Sequence, residues 1–440
     1  MQQQSKFLQR ISVAFGVFMV LVMFLPVLLQ GLAPQTTTTT VNTQEPTEVP
    51  LPDPVQDFST ISFDTQYLHP SALFTVDLPT GWVTTTTVNN RTQAQVTLNN
   101  SDLLSVIEVY VQQPGTPITS VDDLSAYFSS AVLASSWSRY TSPRELPRAL
   151  EEDRVVIDFV MEQNGVSYRA KHIATYDENY VYVTRIVVPE NQGDLLFWLA
   201  DEMPPHLNAV PQFIGSPMGW VAAFDQETSA VLRHPTTWSQ FSGGRGQAYS
   251  FTTPENASVL MDSTPEASIE DEDAASDYVL NLRADAEIVS VEAVERPGAA
   301  GFAVAYSFVN FDGAAQSGYA VLLNGETGSL YTAVAEIPAA GVDLNDVEAR
   351  GSFVDLGTAM DSFGLLLGLN LPELDPLPTP TPRPTVTPTV EATAEVTPEM
   401  TAEATAEVTA EPTPEATEEA TEEPEVTPEA TPEATEEAGE

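Results

Sequence analysis

The feature that most constrains the fold of this chain is a turn that stands at two distant places in the sequence. Pro79-x-x-Trp82 and Pro235-x-x-Trp238 have the same spacing, and each follows a predicted strand. The strand, helix and hairpin signals after each turn recur in the same order, with differences of a few residues. A sequence that repeats itself at this length predicts two copies of one structural unit.

Local patterns predict the elements of the first copy. Phe74–Leu78 alternates apolar and polar residues, as a half-buried strand does. Asn164-Gly165 lies between two further strand-like runs, Val155–Glu162 and Val166–Tyr176, and it predicts a hairpin because both residues tolerate positive φ. Ser120 is expected to cap a helix that continues past Phe128, since Leu124, Tyr127, Phe128, Ala131 and Val132 recur at helical spacing. Asp194 is expected to cap a second, short helix.

The second copy shows the same kinds of signal. A strand is predicted at Ala230–Arg233, a hairpin turn at Gly243–Gly246 and a last helix over about Val354–Leu367. Tight hairpins join antiparallel strands, so we expect antiparallel sheets with helices packed on their faces. The predicted fold class is α+β, with two tandem αβα sandwiches.

Two segments resemble a known family. Phe74–Trp82 (FTVDLPTGW) and Ala230–Trp238 (AVLRHPTTW) are similar to the opening of PsbP-like domains, in which a strand leads into a Pro-x-x-Trp turn. Asp361-Ser362-Phe363 is similar to the end of the family's last helix, and the first copy lacks this ending. The resemblance covers about residues 58–371. It implies αβα sandwiches in exported, often membrane-tethered proteins that are mostly non-enzymatic binding or assembly factors, and it implies no single activity.

An apolar run near the N-terminus predicts the compartment. Ile11–Leu29 contains nineteen residues without a charge, after Lys6 and Arg10. A spanning helix needs about 20 apolar residues, whereas the apolar core of a cleaved signal peptide usually has about 7–15. The length favours an uncleaved anchor, with a cleaved signal peptide as the alternative. Because basic residues stay in the cytoplasm, we expect a single-pass cell-membrane protein with most of its chain outside, or a secreted protein if the segment is cleaved.

The composition then divides the chain into six predicted segments. Segments rich in Thr and Pro cannot bury a core, so we expect an extended linker before the domains and a disordered acidic tail after them. The segments are a cytoplasmic N-terminus at 1–10, a transmembrane anchor or signal peptide at 11–33, a Thr/Pro-rich linker at 34–56, PsbP-like domains at 57–205 and 206–371, and a Thr/Pro/Glu-rich tail at 372–440.

Charge and missing residue types exclude several functions. The formal net charge is -47, so nucleic acid is not an expected partner, because the field of the chain repels polyanions. The chain has no cysteine, which removes disulfides, thiolate catalysis and thiolate metal sites. The four histidines form no zinc-protease motif, and the sequence has neither a nucleophile elbow nor a phosphate loop. We nominate no catalytic, cofactor-binding or metal-binding residue and expect no cofactor.

Three weaker signals remain. Trp82 and Trp238 are candidates for a ligand cleft, but their equivalent positions favour core packing with the indole N–H bonded to backbone. The acidic run Glu270–Asp273 has oxygen ligands for calcium, yet it lacks the spacing of an EF-hand and favours the first turn of a helix. His69 and His234 each lie near a proline and favour structural roles.

Three functional hypotheses follow. The first is a non-enzymatic binding or assembly module at the outer face of a cell membrane, with another cell-surface protein as its partner. The second is a carrier of a small ligand, a lipid or a metal, which would need a deep cleft in one domain. The third is an enzyme with an unrecognised site, which would need ionisable groups with shifted pKa values gathered in a cleft.

Overall fold

Antiparallel β-strands dominate the residues that the computed structural model describes, which are residues 50–374. Twenty-one strands and five α-helices follow one another between residues 58 and 365 of this range. The strands of the first sheet group are β1 Thr65–Leu68, β2 Phe74–Leu78, β3 Val83–Asn89, β4 Gln93–Asn100, β5 Ser105–Gln112, β6 Thr141–Glu145, β7 Ala149–Leu150, β8 Arg154–Gln163, β9 Val166–Tyr176, β10 Val181–Pro189 and β11 Leu207–Ala209. Its helices are α1 Val121–Tyr127, α2 Ser130–Ser136 and α3 Gly193–Glu202.

The second sheet group follows after residue 220 and has two helices. Its strands are β12 Val221–Phe224, β13 Ala230–His234, β14 Ser239–Ser242, β15 Tyr249–Thr252, β16 Ser258–Thr264, β17 Glu287–Arg296, β18 Ala299–Val309, β19 Ala315–Gly325, β20 Leu330–Ile337 and β21 Gly364–Leu365. Its helices are α4 Glu272–Leu282 and α5 Val354–Asp361. Short 3₁₀ turns lie at Phe58–Thr60, Glu190–Gln192, Pro204–His206, Pro211–Phe213 and Val347–Phe353.

The two groups have the same strand order. Each has a three-stranded sheet, β1-β2-β11 in the first and β12-β13-β21 in the second. The first large sheet runs β3-β4-β5-β10-β9-β8-β6 with β7 beside β8, and the second runs β14-β15-β16-β20-β19-β18-β17. In both, the last long strand inserts beside the third one. These observations confirm an α+β fold built on antiparallel sheets in two groups.

The hairpins follow the turn chemistry of the sequence. Val166–Tyr176 and Phe74–Leu78 are strands with the predicted bounds. Asn164 and Gly165 have φ of 53° and 80°, so the Asn-Gly pair forms the predicted hairpin turn between β8 and β9. The Ser120 hydroxyl accepts the backbone N–H of Asp123 at 3.1 Å and caps α1, as predicted.

Three predicted helix details are wrong. The first helix does not continue past Phe128, because a second helix begins at Ser130 under its own cap. Asp194 is not a cap, since it lies in the first turn of α3. The last helix ends at Asp361 rather than Leu367, because Gly364 and Leu365 leave the helix and pair with β13.

Helices pack on both faces of each large sheet. Leu196 of α3 lies in the core on one face of the first sheet, and Leu133 of α2 lies in the core on the other. In the second sheet Leu356 of α5 and Val279 of α4 have the corresponding positions. Burying such a side chain stabilises the fold by about 1.5–3 kcal/mol, so each helix is held by its apolar stripe.

The two groups contact each other through backbone and side-chain hydrogen bonds. The Arg233 Nε atom donates to Ser71 O at 2.7 Å, and the backbone N–H of Ala222 donates to Pro70 O at 2.7 Å. Residues 50–374 belong to one compact unit. β11 lies after residue 205 yet pairs with β2 of the first group. The domain boundary at 205/206 stays a prediction.

Within residues 50–374, no helix is long and apolar enough to cross a bilayer. The predicted anchor at Ile11–Leu29 and most of the predicted tail lie outside the described residues.

Candidate functional site

The two tryptophans of the repeat are both buried beside a turn. Trp82 is 4 % exposed and Trp238 is 6 % exposed. The backbone N–H of Trp82 donates to Pro79 O at 3.0 Å, and that of Trp238 donates to Pro235 O at 3.2 Å. Each indole lies in the apolar core of its own group. The predicted bond from the indole N–H to backbone is wrong for Trp82, whose buried Nε1 atom has no partner within residues 50–374. A ligand-lining role for either residue stays a prediction.

The histidines lie at separate places. His69 and His234 are buried, and burial lowers the pKa of both, that of His69 to about 4. The Nδ1 atom of His206 is 2.7 Å from an Asp77 carboxylate oxygen. His172 is buried in the first large sheet. Within residues 50–374, no group of three or more His, Asp or Glu side chains is placed to hold a metal ion.

The acidic run near residue 270 begins a helix. The Asp271 carboxylate accepts the backbone N–H of Ala274 at 2.8 Å and caps α4. Glu272 and Asp273 lie in the first helical turn, where the positive end of the helix dipole favours negative charge. These helix contacts explain the presence of the acidic residues, so no bound calcium ion is needed to explain them.

The structure contains a polar cleft that no motif predicts. It lies on the first large sheet, on the face that α1 and α2 cover in part, and its volume is about 260 Å³. The polar cleft is lined by Gln93, Gln95, Glu108, Tyr110, Gln112, Phe128, Val132, Leu133, Ser136 and Arg185. Most of these are polar groups on β4, β5 and β10, and the apolar ones come from the helical segment.

Strand register gathers polar side chains into a row across the sheet. Thr97 is paired with Glu108, Glu108 with Arg185, and Arg185 with His172. Directly paired residues of neighbouring strands project from the same face. We call these four residues the charged row. The charged row extends from one side of the polar cleft to the part of the sheet that α1 and α2 cover.

A salt-bridge cluster occupies the centre of the row. Glu108 accepts from Arg139 Nη2 at 2.7 Å and from Arg185 Nη1 at 2.9 Å. The Arg185 Nη2 atom also donates to the Tyr110 hydroxyl at 3.2 Å and to the Ser136 hydroxyl at 3.0 Å. The Arg185 and Glu108 side chains are 7 % and 9 % exposed. Buried charges are costly unless they are paired and hydrogen-bonded. Both Nη atoms of Arg185 and the Glu108 carboxylate have partners, whereas the buried Arg185 Nε atom has none among the described residues.

Neighbouring rings reinforce the cluster. The Arg185 guanidinium carbon lies 4.3 Å from the centre of the Trp137 ring, a distance at which cation–π attraction acts. Burial raises the pKa of Tyr110 to about 12, so its hydroxyl stays neutral at physiological pH. Burial, with the positive charge of Arg185 as a second cause, lowers the pKa of His172 well below its ordinary value. His172 is therefore neutral at pH 7.

A chain of hydrogen bonds joins the glutamines of the polar cleft. The Tyr127 hydroxyl donates to Gln112 Oε1 at 3.3 Å, and Gln112 Nε2 donates to Gln93 Oε1 at 2.9 Å. The chain continues from Gln93 Nε2 to Gln95 Oε1, and from Gln95 Nε2 to Thr97 Oγ1 at 3.3 Å. We call this set the amide chain. It fixes three flexible side chains along the open side of the cleft, an arrangement suited to binding.

A second candidate surface lies at one end of the second large sheet. Phe311 is fully exposed in the turn between β18 and β19, and Val309 is more than half exposed beside it. Leu282, where α4 ends, and Val289, in β17, are also exposed and belong to the same end of the sheet. We call these four residues the edge patch. β17 is the outermost strand of this sheet, so its outer backbone groups have no strand partner among residues 50–374.

The turn that carries Phe311 is well ordered by its own hydrogen bonds. The Asn310 side-chain oxygen accepts the backbone N–H groups of Asp312 at 3.0 Å and Ala314 at 2.8 Å. The backbone N–H of Gly313 donates to Asn310 O at 3.0 Å, and Gly313 has a φ of 77°, which glycine adopts readily. The turn therefore presents an unpacked aromatic ring on a fixed backbone.

The similarity of this chain to known proteins is low. No family profile matches the chain, and no curated protein matches it. Among solved structures, the chain is similar to cyanobacterial PsbP (CyanoP) from Synechocystis sp. PCC 6803, with 17% identity and a TM-score of 0.26 over 33% of this chain and 92% of that one.

Two other solved structures match over more of the chain. The immunity protein TplEi of the T6SS from Pseudomonas aeruginosa has 13% identity and a TM-score of 0.21, over 65% of this chain and 97% of that one. A chain of the Tle4-Tli4 complex has 13% identity and a TM-score of 0.19, over 65% of this chain and 98% of that one. These values are too low to carry an argument about function.

Proposed function

We propose that this chain is an exported, membrane-anchored, non-enzymatic protein with two tandem PsbP-like αβα domains. It acts as a binding or assembly module at the outer face of a cell membrane. The observation that carries the proposal is Phe311, an aromatic ring fully exposed on a turn with a fixed backbone. Exposed apolar groups that lie close together mark interaction surfaces on folded proteins.

The turn has the properties of an anchor residue. A ring that is already presented in one orientation loses little freedom on binding, so most of the free energy of its burial contributes to affinity. Aromatic residues that fill a pocket of the partner are among the strongest contributors to protein interfaces. Val309, two residues before Phe311, is also exposed, and Leu282 and Val289 add exposed apolar side chains near the start of β17.

The acidic residues near the edge patch favour a partner with basic residues at its binding site. Asp312 lies in the turn, Asp285 lies just before β17, and Glu287 begins that strand. The Arg283 guanidinium nearby already pairs with Glu336 at 2.5 Å. The fitting partner is therefore a protein with an apolar pocket for Phe311 and a basic rim. The net charge of -47 disfavours an anionic bilayer as the occupant.

The membrane location in the proposal rests on the N-terminal sequence. Ile11–Leu29 is long enough for a bilayer-spanning helix, and the Thr/Pro-rich segment after it would hold the domains away from the bilayer. A partner on the same cell surface would then meet the edge patch at the high local concentration that tethering provides.

The proposal is tested by photo-crosslinking on intact cells of the host. The photoreactive residue p-benzoylphenylalanine replaces Phe311 in the full-length chain. Phe241, which is exposed on the opposite edge strand β14, provides the matched control position. We expect one discrete crosslinked protein from position 311 that is absent from position 241.

Affinity measurements with purified proteins then test whether Phe311 contributes to binding. The crosslinked protein, identified by mass spectrometry, should bind the wild-type chain and lose at least about tenfold in affinity for Phe311→Ser, a loss of about 1.4 kcal/mol. Phe241→Ser should bind like wild type. Equal binding by both variants would contradict the proposal, as would crosslinks to lipid alone.

A further inference from the structure

We infer that the polar cleft of the first large sheet binds a small, neutral, polyhydroxylated molecule of about monosaccharide size. This inference goes beyond the proposed partner binding, because it concerns the opposite sheet group and a different class of ligand. It rests on the hydrogen-bond capacity that the amide chain leaves free.

That capacity can be counted group by group. A glutamine amide has two N–H donors and a carbonyl oxygen with two acceptor positions. In the amide chain Gln112, Gln93 and Gln95 each use one donor and one acceptor position. Each therefore keeps one donor and one acceptor position, and all three line the polar cleft. A row of alternating free donors and acceptors matches hydroxyl groups, since each hydroxyl both donates and accepts.

The charges of the site favour a neutral ligand. The Glu108 carboxylate already accepts from two arginines, and Arg185 already donates to Glu108, Tyr110 and Ser136. A carboxylate ligand would face the free amide oxygens and the Glu108 charge. An ammonium ligand would face the guanidinium of Arg185. Neither a carboxylate nor an ammonium ligand would find an unpaired ion of opposite charge, so the free-energy cost of its desolvation would not be offset.

Size and shape agree with this class. The volume of about 260 Å³ lies at the small end of ligand cavities. The helical segment provides an apolar wall opposite the amides, formed by Phe128, Val132 and Leu133. A sugar ring has hydroxyl groups at its edge and C–H groups on its faces, so it can contact both walls at once.

The site is also ordered before the ligand arrives. Free glutamine side chains lose rotamer entropy when they bind, which weakens the affinity. Here the amide chain holds Gln112 and Gln93 between Tyr127 and Gln95 in the folded protein. Binding therefore requires little further ordering, and weak individual hydrogen bonds can add up to a measurable affinity.

The test uses saturation-transfer NMR on the full-length chain in a detergent without a sugar headgroup. The probes are glucose, galactose, mannose, N-acetylglucosamine and myo-inositol, with glutamate, lysine and acetate as charged probes. We expect binding of at least one neutral probe and of no charged probe. Binding of a charged probe that Gln112→Met weakens, with no neutral probe bound, would overturn the ligand class. No binding by any probe would overturn the inference entirely.

Variants locate the site. Gln112→Met removes the free donor and acceptor of one amide at similar volume, and we expect the dissociation constant to rise at least about tenfold. Tyr127→Phe removes only the first hydrogen bond of the chain and should raise it by a smaller factor. Gln240→Met, at an exposed glutamine of β14, is the matched control and should bind like wild type. Unchanged binding by both cleft variants, with unchanged melting temperatures, would place the sugar elsewhere.

Discussion

The two large sheets have the same strand order but bury different side chains. In the first sheet the charged row crosses four strands under α1 and α2. In the second sheet a row on the face that α4 covers carries no charge; it contains Ser250, Leu260, Val334 and Ala320. Two short helices and a polar cleft lie over the first row, whereas one helix covers part of the second and leaves Leu260 partly exposed.

The difference shows that the strand order determines which strands are neighbours, whereas the side chains determine which interactions those neighbours form. Glu108 and Arg185 are brought together by the insertion of β10 beside β5, whereas the equivalent insertion of β20 beside β16 pairs Val334 with Leu260 at the corresponding position. A shared topology therefore predicts no shared function for the two halves. The candidate ligand site belongs to the first half, and the candidate partner surface belongs to the second.

The largest expected effect concerns the buried Glu108–Arg185 ion pair of the first sheet. Arg185→Met leaves Glu108 buried with Arg139 as its one remaining ionic partner. We expect a loss of about 3 kcal/mol in unfolding free energy, the low end for breaking a buried ion pair, because Glu108 keeps only the more exposed Arg139 as a counter-ion. The measurement is urea denaturation with hydrogen exchange resolving β10 from β20.

The double variant Glu108→Leu/Arg185→Leu is the control for this prediction. It removes both charges, so it should be more stable than Arg185→Met. A loss of less than about 1 kcal/mol for Arg185→Met would show that the cluster is not the stabilising feature of the first sheet, in contrast to the ordinary cost of breaking such pairs.

A smaller effect is expected from acid. The pKa of His172 is held well below its ordinary value in the folded chain, whereas the unfolded chain takes up the proton near pH 6.5. The contribution of neutral His172 is therefore fully present above about pH 6.5 and is lost as the pH falls. At pH 5 the loss is about 2 kcal/mol relative to pH 7.

Hydrogen exchange measures this loss with an internal reference. Opening of β9 and β10 should become easier at pH 5 than opening of β19 and β20, after correction for intrinsic exchange. His172→Phe should abolish the difference between the sheets. Equal acid sensitivity of the two sheets in the wild-type chain would contradict the assignment of the effect to His172.

The smallest effect is expected at Leu260, on the partly uncovered face of the second sheet. Leu260→Ser changes a side chain that is 43% exposed, so the unfolding free energy should change by no more than about 0.5 kcal/mol. Thermal denaturation checks this value. A loss above about 1.5 kcal/mol would mean that this face is packed in solution and that the contrast between the sheets is weaker.

The sequence predicted the elements whose signals are local. Phe74–Leu78 and Val166–Tyr176 have their predicted bounds, because alternation and an Asn-Gly turn act within a few residues. β3 was not predicted, because four consecutive threonines in Val83–Asn89 show no alternation of polarity. The end of α5 was misplaced, because pairing of Gly364 with a distant strand overrode the apolar pattern.

The candidate sites could not be predicted from local sequence patterns, because long-range contacts form them. Glu108, Tyr110 and Gln112 alternate with apolar residues in β5, a pattern that indicates a solvent-facing side of the strand. That side is covered because α1 and α2 fold back over it, which is a long-range contact. Arg185 among the apolar residues of β10 was the one signal in the sequence that a buried charge required a partner. Exposure of Phe311 likewise depends on neighbours that no pattern specifies.

Hydrogen exchange of the full-length chain, with and without the purified partner identified by crosslinking, is the most direct test of the binding proposal. We predict slower exchange in the turn at residues 309–314 and along β17, where the edge patch lies. The opposite edge at β14 should exchange at its free rate. Protection confined to β14, or to the polar cleft, would contradict the proposal that this chain binds its partner through Phe311.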